Sequence, residues 1–232
     1  MKRNALLSVI LFAASPMFPA IVIVFSLAGY SLRIGSGFVL PAAATAVYFA
    51  VGILLLVHKD RRIRKTHAAL LCVSLILNQI NTFWYIAYAE NNWTILFFAS
   101  WLLMTAAVVA VYVRSIGLKA VFYTLSGCLF YPMFLFFLFG GMVSNTVVAR
   151  EISPDGAYCA EVIDNNQGAL GGATVLTIYR EDQSFTICSW EFRKGEKTVY
   201  YGRWGEYRRL YWTDASHIML NGTTYAMEDL YP

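Results

Sequence analysis

Residues 139–158 read FGGMVSNTVVAREISPDGAY, and the character of the chain changes within them. To the left lies apolar sequence suited to lipid. To the right the chain turns charged, polar and rich in turns. The composition divides at the same place. Residues 1–144 hold 10 Lys/Arg and 2 Asp/Glu, a net of +8, whereas residues 145–232 hold 8 Lys/Arg and 12 Asp/Glu, a net of −4. The overall +4 describes neither part and is not a nucleic-acid signal. Hydrophobic residues make up 58% of the chain and the mean hydropathy is +0.54, above a globular norm of roughly 45–50% apolar.

A helix needs about 20 mostly apolar residues to cross a bilayer. Five stretches meet that requirement: 5–30, 37–57, 67–88, 93–113 and 120–143, none containing Asp, Glu, Lys or Arg. The first follows Met1-Lys2-Arg3 and has small residues near Ala13-Ala14-Ser15, as a signal peptide would. Its apolar run resumes at Ala20 and continues to Tyr30, so the whole stretch 5–30 is longer than the roughly 7–15 residues of a secretory core, and an uncleaved span kinked by Pro16 and Pro19 is expected.

Lys and Arg near span ends favour the cytoplasm. With the N-terminus inside, the inner segments 1–4, 58–66 and 114–119 carry nine basic residues, against Arg33 alone in the short outer loops 31–36 and 89–92. The run HKDRRIRK at 58–65 reads as a topology anchor beside anionic lipid rather than a docking site. The expected protein is a multi-pass plasma-membrane protein with its C-terminal part extracytoplasmic. The fold class is a polytopic α-helical bundle of five spans, 1–144, followed by a small antiparallel all-β domain, 145–232.

Ionisable residues inside spans usually mark relays or ion paths. Here only His67 stands at a span edge. The third span does carry Asn78, Asn81, Thr82 and Tyr85 at i, i+3, i+4 and i+7, one helix face. Such a face is either interhelical hydrogen-bonding glue or the lining of a polar path. Trp84, Tyr85, Tyr88 and Trp93 form an aromatic belt. No repeat relates early to late spans, so the inverted-repeat sign of many transporters is missing.

In the tail, β-branched and aromatic runs at 146–152, 157–163, 173–180, 185–192, 198–201, 208–213, 216–220 and 223–227 predict strands. Ser153-Pro154-Asp155-Gly156 and Asn221-Gly222 predict tight turns. The pattern Ser153, Pro154, Asp155, Gly156, Tyr158, then Trp212, Asp214, Ile218, Leu220, Asn221, Gly222 resembles a bacterial family of membrane-anchored extracytoplasmic β domains with no characterised activity. The resemblance covers about a third of the chain and implies turn and strand roles only. The five-span part departs from the single anchor associated with such domains.

No catalytic, cofactor or metal constellation is expected. His217 near Asp214 and several serines lacks a nucleophile motif, no zinc spacing occurs, and 161–168 lacks the full acid pattern of a calcium loop. Cys159 and Cys188 are compatible with a disulfide or with two buried thiols. The tail holds 13 Phe, Tyr and Trp. Arg203, Trp204, Tyr207, Arg208 and Tyr211 form a candidate binding surface, with cross-strand packing as the alternative. The function expected is display of a β domain for binding another envelope protein or a glycan, in an accessory, sensing or immunity role. The alternative is a transporter or channel component using the third span's polar face.

Overall fold

The computed structural model describes residues 2–35, 37–57, 64–88, 95–140, 144–166, 171–207 and 209–231. Two compact units emerge: residues 1–24 with 34–138, and residues 25–33 with 139–232. The second unit therefore takes a short piece of chain from near the N-terminus, residues 25–33, which the sequence reading divides between the end of the first span and the loop after it.

The helical unit begins with α1 (Lys2–Ala14) and α2 (Met17–Leu27), bent by 53° at their junction. The cause is local. Pro16 has no N–H to give, and Pro19 sits in the first turn of α2, where proline is tolerated. Ser15 caps the end of α1 by sending its hydroxyl to the Leu11 carbonyl at 2.8 Å. There follow α3 (Val39–Val57), α4 (Lys65–Tyr88), α5 (Ile95–Tyr112) and α6 (Ile116–Gly140). Among the described residues α3, α4 and α5 are long and apolar enough to cross a membrane, and the bent α1–α2 pair passes the same test together. Five spans were expected. Three helices plus the bent pair meet the requirement, while α6, which contains Pro132, corresponds to the fifth stretch. The basic residues Lys59, Arg61 and Arg62, together with Trp93 and Gly141, lie outside the described residues.

The helices interlock through aromatic rings. Tyr48 of α3 stacks on Trp101 of α5 at 4.2 Å, and Trp101 donates its indole N–H to Thr45 at 2.9 Å. Phe18, Tyr85 and Phe98 continue the packing, with centroids 5.1 and 4.5 Å apart.

The second unit is two sheets. The larger has the order β1-β5-β4-β3-β2, built from β1 (Tyr30–Ile34), β2 (Ser144–Ile152), β3 (Tyr158–Asn166), β4 (Gly172–Ile187) and β5 (Trp190–Arg203). The smaller is β6-β7-β8: β6 (Leu210–Trp212), β7 (His217–Leu220) and β8 (Thr223–Ala226), followed by a short α7 (Met227–Leu230). Strands β2 to β5 and β6 to β8 pair antiparallel. Both expected turns form. Asn221 (φ 52°) and Gly222 (φ 91°) both take the positive φ that a two-residue hairpin loop requires. In the other, Ser153 donates its hydroxyl to Asp155 at 2.6 Å and accepts the Tyr158 N–H at 2.9 Å.

Period-2 alternation sets the core. Ala160, Val162, Leu176 and Ile178 face the small sheet's Leu210, Ile218 and Leu220, and all seven are buried with Met227. Glu161 and Thr177, between them in sequence, face the other way. The expected strand at 185–192 is instead two half-strands folded at Cys188-Ser189, because Cys188 adopts φ 55° without a glycine to announce the turn. Ile218→Ala is expected to destabilise the second unit by about 2–5 kcal/mol through the cavity it leaves, as read by chemical denaturation in detergent.

Candidate functional site

The intramembrane polar face is assembled. Asn78, Asn81, Thr82 and Tyr85 are all buried. Asn78 donates its amide to the Tyr48 hydroxyl and to the Thr105 hydroxyl, each at 2.7 Å, while Ser15 lies 3.4 Å from Tyr48. Asn81 does something the spacing alone did not show. Its Oδ1 accepts the backbone N–H of Phe18 at 2.8 Å, so α4 caps the first turn of the half-helix α2. Thr82 returns its hydroxyl to the Asn78 carbonyl of its own helix at 2.8 Å. A break between helices leaves backbone groups without intrahelical partners, and Asn81 meets one of them, the Phe18 N–H. On the opposite side of α4, Gln79, Ile80, Phe83 and Trp84 line an apolar cavity of about 360 Å³ with Leu129 and Pro132.

The residues named for a binding surface differ in exposure. Trp204 is 56% exposed, and Tyr201 beside it is 72% exposed. Tyr207 packs against the core, and Tyr211 places its hydroxyl 2.8 Å from the Met219 sulfur with Arg209 4.8 Å over its ring. Arg208 lies outside the described residues. The exposed patch is thus Tyr201, Arg203 and Trp204, at the end of β5. Gly172 matters here. A Cβ at that position would lie 2.9 Å from the Trp204 ring and 2.5 Å from the Asn165 carbonyl, so only glycine lets the indole rest on β4.

Four cysteines are free thiols. Cys159 is buried in β3 and receives the Arg150 Nε–H at 3.3 Å, whereas Cys188 stands exposed at the tip of the β4–β5 hairpin. No bridge joins them. Burial pushes the Cys159 thiol above its ordinary pKa, which disfavours the thiolate. His217 and Asp214 do meet, with His217 Nδ1 at 3.0 Å from the carboxylate. Ser216, however, contacts the same Nδ1 at 3.2 Å. A charge-relay triad needs serine and acid on opposite ring nitrogens. This is an Asp-centred turn: Asp214 also accepts the Ser216 N–H at 2.8 Å. That bond and the His217 contact hold the Asp214 carboxyl down at about 2. In segment 161–168, Glu161 is engaged in ion pairs, Asp164 accepts from Thr174 and residues 167–168 lie outside the described residues. Among the described residues no group of three metal-ligating side chains gathers.

The feature that sequence reading missed is a buried ion cluster on the sheet's second face, to which all five strands contribute. Glu161 of β3 is at its centre. Its Oε2 lies 2.8 Å from Arg33 Nη1 of β1 and 2.8 Å from Arg193 Nη2 of β5. Arg150 of β2 approaches the other oxygen at 3.6 Å. Arg193 also reaches Glu191 at 2.9 Å and Glu196 at 3.1 Å, and covers the Tyr179 ring of β4 at 4.4 Å. Side chains of Glu161 and Arg193 are each 2% exposed. One signal was available: Arg150, Glu161 and Arg193 fall at positions where the alternation calls for a packed face. The partner Arg33, some 128 residues from Glu161, gave none.

Compared with family models, curated proteins and solved structures, the chain has no match.

Glu161→Gln is expected to cost about 3–5 kcal/mol, since it strands buried guanidinium groups. Glu181→Gln, whose partner Arg150 is half-exposed, is expected to cost under about 1 kcal/mol. Denaturation of both variants in one detergent checks the contrast. Because the folded Asp214 carboxyl titrates at about 2 against an ordinary 3.8, its contribution to stability is full above pH 4 and is lost as pH falls towards 2. Asp214→Asn is expected to flatten the stability profile across that window.

Proposed function

We propose that this chain is an integral membrane protein of five crossing segments that displays a β domain outside the cytoplasm, and that the domain works by binding rather than catalysis. The observation that carries the reading is the joint sheet. Strand β1 follows the first apolar segment, β2 follows the last, and both belong to one sheet. Chain on either side of α3–α6 must then lie on one side of the bilayer, which demands an even number of crossings between. Three do not suffice, and α6 as a fourth satisfies the count. The excess of Lys and Arg in 58–66 and 114–119 supports a cytoplasmic location for those segments, opposite the sheet. The SPDG turn and the closing Asn-Gly hairpin fit the resemblance to membrane-anchored β domains.

The binding surface we favour is the exposed end of β5, Tyr201, Arg203 and Trp204. Aromatic and arginine side chains on a rigid edge suit another envelope protein or a glycan. The full chain in nanodiscs, offered to envelope extracts, is expected to retain a component that Trp204→Ala with Tyr201→Ala releases. Equal retention by wild type and variant would remove the assignment. Cysteines placed at Thr66 and Ser184 report the topology: only the second should react with a membrane-impermeant reagent from outside.

A second reading is favoured by one observation, the break in the first segment facing the amide face of α4. Discontinuous helices beside buried polar side chains are the architecture of many transporters. Asn78→Leu with Asn81→Leu would abolish solute flux under that reading. Under the first it would weaken helix packing alone.

A further inference from the structure

The β4–β5 hairpin carries an apolar tip that neither reading above uses. From Ser184 to Trp190 the chain reads SFTICSW, seven residues without a charge. Phe185 is 37% exposed and Ile187 46% exposed, with Thr186 and Cys188 exposed beside them. Large apolar side chains exposed together at a hairpin turn are unusual for a surface in water.

What lies against this tip identifies its surroundings. Phe25, two residues before the end of α2, sits 4.3 Å from the Phe192 ring and 6.0 Å from Phe185. Tyr30 closes the group at 5.6 Å from Phe185, and Phe185 stacks on Phe192 at 4.8 Å. Leu27, the last residue of α2, is 85% exposed. Lys194 lies 4.7 Å over the Tyr30 ring and donates to the Ala28 carbonyl at 2.5 Å. A tyrosine, a lysine with its stem along apolar rings, and an apolar helix end make the pattern found where a helix leaves the hydrocarbon.

We propose that the tip of the β4–β5 hairpin, Phe185 to Cys188, inserts into the interfacial layer of the bilayer that α2 leaves. The partner is the lipid surface itself. The inference rests on α2 being a membrane segment. Geometry permits it without burying charge. Asp182 lies six residues before Cys188, about 20 Å along an extended strand. An apolar element lying in the interface sinks roughly 5–10 Å. On the other arm, Glu191 is turned into the ion cluster with Arg193. The tip is thus a second point of attachment for the sheet, beside β1.

Cys188 supplies the probe. The full chain, with Cys72, Cys128 and Cys159 changed to Ala, is labelled at Cys188 with an environment-sensitive nitrobenzoxadiazole dye and reconstituted into phosphatidylcholine–phosphatidylglycerol vesicles. A reference protein carries the dye at Asn221→Cys with Cys188→Ala. Shallow spin-labelled lipid is expected to quench the dye at 188 about twofold or more over that at 221, a depth effect of interfacial insertion. Aqueous iodide should show the reverse order. Ile187→Asp with Phe185→Asp is expected to bring position 188 to the reference level with an unchanged circular dichroism spectrum. Equal lipid quenching at 188 and 221, in protein that floats with the vesicles, overturns the proposal alone. Shielding from iodide without lipid quenching also overturns it, because the tip then meets protein. Protein that fails to float with vesicles overturns the membrane reading of α2, and the proposal with it.

Discussion

A carboxylate removed from water must be compensated where it sits, and Glu161 is compensated from both directions across the sheet. Two guanidinium groups at 2.8 Å and a third at 3.6 Å come from β1, β5 and β2. Tyr179 supplies the aromatic floor from the strand between. Desolvating several charges is expensive, and such clusters stabilise little relative to an apolar equivalent. Their value lies in selection. An arrangement of strands that omitted β1 or shifted β5 by one residue would leave a buried charge uncompensated, and a one-residue slip also turns every side chain to the wrong face. The two faces of the large sheet divide the labour: one joins the small sheet through aliphatic contacts, the other fixes register through charge.

The helical unit uses the same logic in a weaker currency. Its break at Ser15-Pro16 frees backbone groups; Asn81 meets one of them, the Phe18 N–H, and the hydroxyls of Ser15, Tyr48 and Thr105 join the amide of Asn78 in a side-chain network beside it. No formal charge is required because the groups to be satisfied are dipoles. Asn81 shows how a residue read as generic glue has a specific job, holding the first turn of α2.

Much of this was legible because it is periodic. Long apolar runs locate the helices, alternation locates the tail strands, and Pro-Asp-Gly and Asn-Gly locate two turns by the backbone conformations they require. What escaped has no local signature. Residues 30–34, YSLRI, are too few to show a period and become a strand only through partners in the tail. The hairpin at Cys188-Ser189 lacks glycine, so 185–192 looked continuous. Within the grouping Arg203, Trp204, Tyr207, Arg208 and Tyr211, spacing in sequence does not say which aromatic ring a small domain packs on its core; here it is Tyr207.

Strand β1 has a consequence in time. The bonds from its Ser31 side chain to β5 span 162 and 165 residues of sequence. During synthesis the strand emerges with its hydrogen-bonding edge bare and waits while four helices are made. Nothing local can hold it. Closure at so large a separation is slow, since the loop entropy is lost before any contact repays it. This edge of the sheet therefore closes only after β5 has been made, and Tyr231, whose hydroxyl reaches the carbonyls of Ile178 and Gly195, follows β5 in the chain. A truncated polypeptide leaves an open edge and an unneutralised arginine, the two features by which an unfinished copy can be told from a complete one.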